Sequence, residues 1–245
     1  MVAVDRTADA QEFETHRREL WAYAQRLVVR PEIADEIVQQ AAVRMLEAAE
    51  VPRAALRAWL FRVTTNLALD YLRRHSTWRE TVLEDTRARA VIDETFVAES
   101  QSLRGSPEMA AIAREHLTVC FSCTLRNLPA SHAVALLLVE VYGFTVDEVA
   151  EMTNATFGQV KNWIQSARGT LHARYQQTCA LITKEGTCHQ CVELSDFFNG
   201  HEVDPLDRTR RDLDARLAIL RERNETSLGP WHRLMMRIVD DVMDG

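Results

Sequence analysis

Four of the five cysteines in this 245-residue chain form two Cys-x-x-Cys pairs, Cys120 with Cys123 and Cys188 with Cys191. Four thiolates arranged in two such pairs can bind one tetrahedral Zn²⁺. The gap between the pairs is much longer than in a zinc ribbon, so the spacing leaves three interpretations open. They are one structural Zn²⁺, a thiol or metal switch, and buried cysteines with no chemical role. Cys179, His189 and His201 are further potential ligands.

Basic residues are concentrated in two segments of an otherwise acidic chain. The formal net charge of −7 taken alone disfavours binding to nucleic acid. However, the segment from Arg53 to Ser76 has five arginines opposed only by Asp70, and the segment from Thr156 to Lys184 has four basic residues and no acid. Charge segregated in this way predicts two separate surfaces that contact nucleic acid.

The second basic segment has the pattern of a helix-turn-helix. In "TVDEVAEMT", Thr145 and Glu148 have capping-box spacing, and the short turn "NATFG" leads into the long helix "QVKNWIQSARGTLHARYQQ". Its polar face has the amide and basic side chains that read base edges and neutralise phosphates in a major groove. The alternative is a solvated face on a structural helix pair. The candidate residues for contact with duplex DNA are Thr156, Gln159, Lys161, Asn162, Gln165 and Arg168.

Helical periodicity predicts an all-α fold of two small helical domains with a linker and a helical C-terminal extension. The predicted boundaries are 12–76, 77–112 for the linker, 113–177 and 178–245. The predicted buried positions of the first domain are Leu20, Tyr23, Ala24, Leu27 and Val28, then Ile33, Ile37, Ala41, Val43 and Leu46, then Leu56, Leu60, Val63, Leu67 and Leu72. Those of the extension are Leu213, Leu217, Leu220, Trp231, Leu234, Met235 and Ile238.

The N-terminal sequence and the apolar segments predict a cytoplasmic protein without a membrane partner. "MVAVDRTADAQEFETHRREL" lacks the basic and then apolar profile of a secretory signal. The longest apolar run, "AVALLLVEVYGF", contains Glu140 and is shorter than the roughly 20 residues that span a bilayer. In the cytosol cysteines are mostly reduced, which favours metal or redox roles over structural disulfides.

Both helical segments resemble parts of an extracytoplasmic-function (ECF) sigma factor of the bacterial sigma-70 family. "ADEIVQQAAVRMLEA" and "LRAWLFRVTTNLALDYLRR" are similar to the region called sigma-2. "LRNLPASHAVALLLVEVYGFTVDEVAEMTNATFGQVKNWIQSARGTL" is similar to sigma-4. The resemblance implies a non-enzymatic subunit that binds core RNA polymerase and the −10 and −35 promoter elements, and that can be bound by an anti-sigma factor.

The resemblance also implies roles for individual residues. Asp35, Glu36, Gln39 and Gln40 occupy the face that docks on the clamp helices of the polymerase β′ subunit, and sigma-4 is expected to contact the β flap. Asn66, Asp70, Arg73 and Arg74 match the family's Asn-x-x-x-Asp-x-x-Arg stretch. The predicted −10 contacts are Arg62, Asn66, Arg73, Arg74 and Trp78. Trp59 is expected to pack inward, and Asp70 to pair with an arginine.

The sequence departs from the family at two places. The family often has a serine and a basic residue where this chain has Phe157 and Gly158, so the promoter preference does not transfer. The chain also continues from Gln177 to Gly245. A zinc- or thiol-linked tail that regulates the −35 surface or polymerase binding is the resulting hypothesis. The alternatives are a stand-alone helix-turn-helix regulator and a metal or redox sensor.

Overall fold

The computed structural model describes residues 6–48, 51–75, 82–104, 120–178, 213–222 and 229–244. Every regular element in these ranges is helical, so the all-α prediction is confirmed. The elements are α1 Arg6–Val28, α2 Pro31–Glu47, a 3₁₀ turn Arg53–Ala55, α3 Leu56–Arg74, α4 Val82–Ile92, α5 Glu94–Arg104, α6 Ala130–Leu136, a π-helical turn Leu137–Val141, α7 Val146–Thr153, α8 Phe157–Thr178, α9 Leu213–Glu222 and α10 Pro230–Asp244. Residues 120–125 are also helical. None of the described helices is long and apolar enough to cross a membrane.

The described helices fall into two compact units. The first contains α1 to α3, α6, the π-helical turn, α7 and α8 as far as Ala167. The second contains α4, α5, residues 120–125, the rest of α8, most of α9 and α10. The two predicted modules therefore contribute to a shared unit, because α6 packs on α1 and α3, and α7 packs on α3. The predicted domain boundaries themselves stay a prediction.

The core of the first unit is formed by the facing stripes of α1, α2 and α3. All five predicted positions on α1 are buried, and the hydroxyls of Tyr23 and Thr65 lie 2.8 Å apart inside the bundle. Phe61 is also fully buried, although its position was not among those predicted. Threonine at 64 and 65 belongs to the same inner face, since four-residue spacing along α3 aligns Phe61 with Thr65.

The predicted inner face of α2 was wrong at two positions. Val43 and Leu46 keep 45% and 42% of their surface exposed. The helix instead buries the stripe Ala34, Ile37, Val38, Ala41 and Met45. A step of 3 or 4 residues keeps each of these on one side of the helix, whereas Val43 and Leu46 lie off that side. Ile33, Val63 and Leu67 are half-buried at the edges of their stripes.

A π-helical turn ends the helix that begins at Ala130. The amide of Tyr142 donates to the carbonyl of Leu137 over 3.0 Å, one residue further back than in an α-helix. Gly143 follows with φ of 74°, a conformation that glycine adopts without steric cost. The surplus residue and the glycine together set the direction in which Tyr142 and Phe144 project.

The first helix of the helix-turn-helix, α7, is capped at both of its ends. The Thr145 hydroxyl accepts a hydrogen bond from the Glu148 amide over 3.2 Å, while the Glu148 carboxylate accepts one from the Thr145 amide over 2.7 Å. The predicted capping box is therefore confirmed. Asn154 ends α7 with φ of 53°, in the left-handed conformation that asparagine tolerates. Ala155 and Thr156 then lead into α8.

The second unit buries apolar stripes of the extension. Leu213, Leu217 and Leu220 of α9 are buried, as predicted. So are Leu234, Met235 and Ile238 of α10, which packs on α4 and α5. Helices α4 and α5 lie in the segment 77–112, which was predicted as a linker. Its mixed charge gives a weak signal for helices that are stabilised by packing rather than by their own amphipathic pattern.

Candidate polymerase and promoter interface

The face of α2 predicted to meet polymerase is open to solvent. Asp35, Glu36, Gln39 and Gln40 are all exposed. Next to Gln39, the side chains of Phe13 and Met45 help to line a groove of about 270 Å³ between α1 and α2. Exposed Leu46 belongs to the same groove. An acidic and amide rim beside an apolar groove is suited to bind a helix that carries basic and apolar side chains.

The outer face of α3 carries the candidate residues for the −10 element. Arg62, Asn66, Arg73 and Arg74 are exposed on one helix, and Arg73 forms an ion pair with Asp70. The expected pairing of Asp70 is thus present in the structure. Trp59 is half-buried and lines a groove with Arg62, so it is less deeply packed than expected. Trp78 lies outside the described residues.

The first turn of α8 uses two predicted DNA-contacting residues as a cap. The Thr156 hydroxyl accepts from the Gln159 amide over 3.3 Å, and Gln159 Oε1 accepts from the Thr156 amide over 2.8 Å. These bonds satisfy amides that the helix itself leaves unpaired. The sequence signal was available, since Thr-x-x-Gln is a capping-box spacing, but the prediction assigned both residues to base contact only.

The remaining candidates on α8 divide into two groups. Lys161, Asn162 and Gln165 are exposed, and the Lys161 ammonium lies 5.5 Å from the centre of the Phe157 ring. Arg168 is half-buried and pairs with Asp214 of α9 over 2.5 Å. The buried side of α8 consists of Val160, Ala167 and Leu171. The helix therefore presents two amides and a lysine over its first three turns, and an ion-paired arginine further along.

The first cysteine pair lies in the second unit. Cys120 and Cys123 are both buried on the helical segment 120–125. Nη1 of Arg216 lies 3.9 Å from Cys120 Sγ, and the same guanidinium stacks 4.2 Å from the centre of the Tyr175 ring. Tyr175 in turn shares a 2.9 Å hydrogen bond with Thr124. The extension is thus packed against the cysteine segment through an arginine that is only 2% exposed.

The described residues supply half of the proposed zinc site. Two thiols three residues apart fit the first hook of a four-thiolate centre. Cys188 and Cys191, with the spare ligands Cys179, His189 and His201, lie outside the described ranges. Within those ranges no group of three or more cysteine, histidine or acidic residues could hold a metal.

The structure combines an exposed acidic face, an exposed arginine-rich helix and a helix-turn-helix, features typical of a DNA-binding protein that also docks on another protein. Comparison with known proteins identifies its kind. Residues 13–77 match the Sigma-70 region 2 family. The chain is 31% identical over 172 residues to the ECF RNA polymerase sigma factor SigM of Mycobacterium tuberculosis, covering 69% of this chain and 78% of the relative.

Two more relatives have names of the same kind. The ECF RNA polymerase sigma factor EcfG of Rhodopseudomonas palustris is 28% identical over 158 residues, which cover 63% of this chain and 77% of that protein. The ECF RNA polymerase sigma-E factor of Haemophilus influenzae is 27% identical over 153 residues, covering 62% and 78%. This chain belongs to the ECF group of RNA polymerase sigma factors. Membership of this group implies binding to core polymerase and promoter DNA.

Proposed function

We propose that this sigma factor, itself without enzymatic activity, docks through the outer face of α2 on the β′ clamp helices and through its helix-turn-helix near the β flap. The observation that carries the proposal is the exposure of Asp35, Glu36, Gln39 and Gln40 on one side of a helix within the region 2 match. Exposed carboxylates on a helix face are available for a basic partner.

The test of docking is a charge-neutralising pair of substitutions. Asp35→Asn with Glu36→Gln should weaken capture of core polymerase at least tenfold, because two rim charges steer association and contribute to the contact. The matched control is Glu94→Gln, which removes an exposed carboxylate from α5. Equal capture by the double variant and by the control would contradict docking through α2.

We further infer that α3 captures the opened −10 strand and that α8 reads the −35 duplex. Exposed arginines on α3 suit the phosphates of a single strand, and Trp59 beside Arg62 offers an aromatic surface to an unstacked base. Lys161, Asn162 and Gln165 supply the amide and basic groups for major-groove contact. Run-off transcription of genomic fragments with core polymerase and the purified chain would identify the promoters, and failure to yield any discrete start would refute this assignment.

The extension is proposed to be a regulatory tail attached by zinc or by thiol chemistry. Asp214 neutralises Arg168 of the reading helix, and Arg216 is buried against the first cysteine pair. A Zn²⁺ held by Cys120, Cys123, Cys188 and Cys191 would couple the tail to the same segment. Metal content and thiol count on anaerobically purified protein test this. About one zinc per chain is expected, and metal-free protein with fully reactive thiols would rule out a tail attached by zinc.

An anti-sigma factor is proposed as a further partner. The apolar groove between α1 and α2 and the exposed Leu46 would give such a protein a surface that competes with polymerase. Competition between core polymerase and any chain co-purified with the sigma factor would test this. Simultaneous binding of both would place the second partner elsewhere.

A further inference from the structure

The first residue of α8, Phe157, exposes an aromatic ring beside polar side chains. Phe157 keeps 48% of its surface exposed, and it is the only aromatic residue among the large apolar side chains that the described part of the chain exposes. A single exposed apolar side chain is common on protein surfaces, so exposure alone does not assign it a role. The other exposed residues on the first three turns of α8 are Gly158, Gln159, Lys161, Asn162, Gln165 and Ser166.

The position of Phe157 on α8 places its ring on the face that is assigned to the −35 duplex. Phe157, Lys161 and Gln165 follow one another at four-residue spacing, which aligns side chains along one side of an α-helix. In helix-turn-helix proteins the N-terminal residues of the second helix contact the edges of bases in the major groove. Phe157 therefore lies where a contact with a base is expected.

The side chain of Lys161 orients the ring and brings a positive charge next to it. Its ammonium lies 5.5 Å from the centre of the Phe157 ring, within the range of a cation–π contact. The charge attracts the phosphates of DNA. An apolar pocket on a protein would instead have to remove water from the ammonium, which is costly. The neighbouring charge therefore favours DNA as the molecule that covers the ring.

Gly158, the next residue, leaves room for a close approach. A Cβ atom at Gly158 would meet no atom of the described protein within 4 Å, and the residue lies inside a regular helix. Neither packing nor backbone conformation therefore requires glycine here, although glycine destabilises a helix relative to alanine. Glycine suits positions where the backbone comes close to a ligand. Without a side chain at this position, the start of α8 can approach the floor of a groove closely enough for the Phe157 ring to touch it.

The major groove offers one apolar target to such a ring. Thymine presents a methyl group there, on C5, and phenylalanine is one of the side chains that contact it. The other groups on the base edges are hydrogen-bond donors and acceptors. A phenyl ring would leave such groups without a partner, which costs free energy.

We propose that Phe157 determines part of the promoter specificity of this sigma factor by packing against the C5-methyl group of a thymine in the −35 element. This inference rests on the proposed assignment of α8 to the −35 duplex. Lys161, one turn further along the helix, is positioned for a neighbouring base pair. A serine in place of Phe157 could not make the methyl contact.

Deoxyuridine tests the contact, because it differs from thymidine only in lacking the methyl group. A promoter fragment found by run-off transcription is resynthesised with deoxyuridine at each −35 thymine in turn. Its affinity is then measured for the holoenzyme formed by core polymerase and the full chain. Wild-type holoenzyme should lose about three- to fivefold in affinity at one thymine, the effect of one buried methyl group.

Variants of α8 show whether Phe157 is the residue that senses the methyl group. Phe157→Ala should bind the thymine fragment about three- to fivefold more weakly than wild type does, and deoxyuridine at the sensitive position should cause no further loss. Phe157→Leu keeps an apolar side chain and should retain part of the discrimination. Ser166→Ala, at another exposed position of the same helix, is the matched control and should retain all of it.

Each outcome decides between this contact and another role of the ring. If wild-type holoenzyme is insensitive to the methyl group at every −35 thymine, or if Phe157→Ala discriminates as well as wild type, the inference is overturned and the promoter assignment stands. Equal weakening on all fragments, with weaker capture of core polymerase, would show that Phe157 contacts polymerase instead. Absence of any discrete start with wild type would refute the promoter assignment on which the inference rests. If Phe157→Ala does not fold by circular dichroism, the wild-type deoxyuridine series and Phe157→Leu still decide.

Discussion

The two candidate DNA-contacting helices differ in how much of their polar surface is already used by the protein. On α3, Arg62, Asn66 and Arg74 are exposed, and Arg73 forms an ion pair with its near neighbour Asp70. On α8, Thr156 and Gln159 cap the helix and Arg168 pairs with the extension. A polar residue at the start of a helix therefore has to be tested as a helix cap before it is assigned a contact with DNA bases. The predictions below separate those two roles.

The largest effect is expected where a side chain reads bases. Asn162→Ala should weaken binding to the selected −35 duplex by about 1–3 kcal/mol, because an amide that bonds to an adenine edge has no replacement. Competition binding against scrambled duplex measures the loss. Ser166→Ala, also exposed on α8, is the matched control. An equal loss on selected and scrambled duplexes would show that Asn162 contributes through the phosphates or the fold.

A smaller effect is expected from an arginine that contacts the single strand. Arg74→Ala should lower the slope of log affinity against log salt by about 0.7, the value for one phosphate of a single strand. The measurement is a salt titration with a −10 oligonucleotide. Arg73→Ala should change the slope less, because its charge is partly compensated by Asp70. A larger change in slope for Arg73→Ala than for Arg74→Ala would show that the ion pair between Arg73 and Asp70 opens when DNA binds.

Thr156 tests the cap directly. Thr156→Ala should reduce the free energy of unfolding by about 1 kcal/mol, and Thr156→Ser should restore most of it, because the serine hydroxyl can also cap. Thermal or urea unfolding measures both. Thr145→Ala removes the equivalent cap of α7 and should cost a similar amount. If Thr156→Ala keeps its stability but loses affinity for the −35 duplex, Thr156 contacts DNA and is not needed as a cap.

The tail contact should have a modest effect. Asp214→Asn removes the ion pair between Arg168 and Asp214 and should raise affinity for the −35 duplex about 2- to 5-fold, since an ion pair at a partly exposed site contributes up to about 1 kcal/mol. The comparison is made with Glu222→Gln at the end of the same helix. Unchanged affinity would mean that Arg168 does not reach the DNA.

The smallest effect concerns pH. The Thr145 amide donates to the Glu148 carboxylate and lowers its pKa below the usual 4.5. The stabilisation is therefore complete above pH 4.5 and is lost as pH falls through the lowered pKa. Wild type should exceed Glu148→Gln in unfolding free energy by at most about 0.5 kcal/mol at pH 7, and the difference should vanish in acid. A constant difference would exclude the carboxylate charge as its source.

The sequence predicted those features that depend on interactions between residues close together in the chain. The α1 stripe, the capping box at Thr145 and the leucines of α9 follow from spacing alone. The pairing of Arg57 with the Tyr142 carbonyl could not be predicted, because those residues are 85 positions apart. Arg216 and Cys120 are separated by 96 positions. Periodicity reports which side of a helix is buried, and it carries no information on which distant helix covers that side.

Because of the π-helical turn, the number of residues in this segment determines the direction in which Tyr142 projects. Each residue of an α-helix turns the chain by about 100°, so loss of the single codon for Val139 would regularise the turn and swing Tyr142 by roughly that angle. Such a deletion would leave every contacting side chain encoded and still move the Tyr142 ring away from the rings of Tyr23 and Phe61. Related genes that differ by one codon here should therefore differ in how Tyr142 packs on the α1–α3 bundle, while the sequences of α3 and α8 remain unchanged.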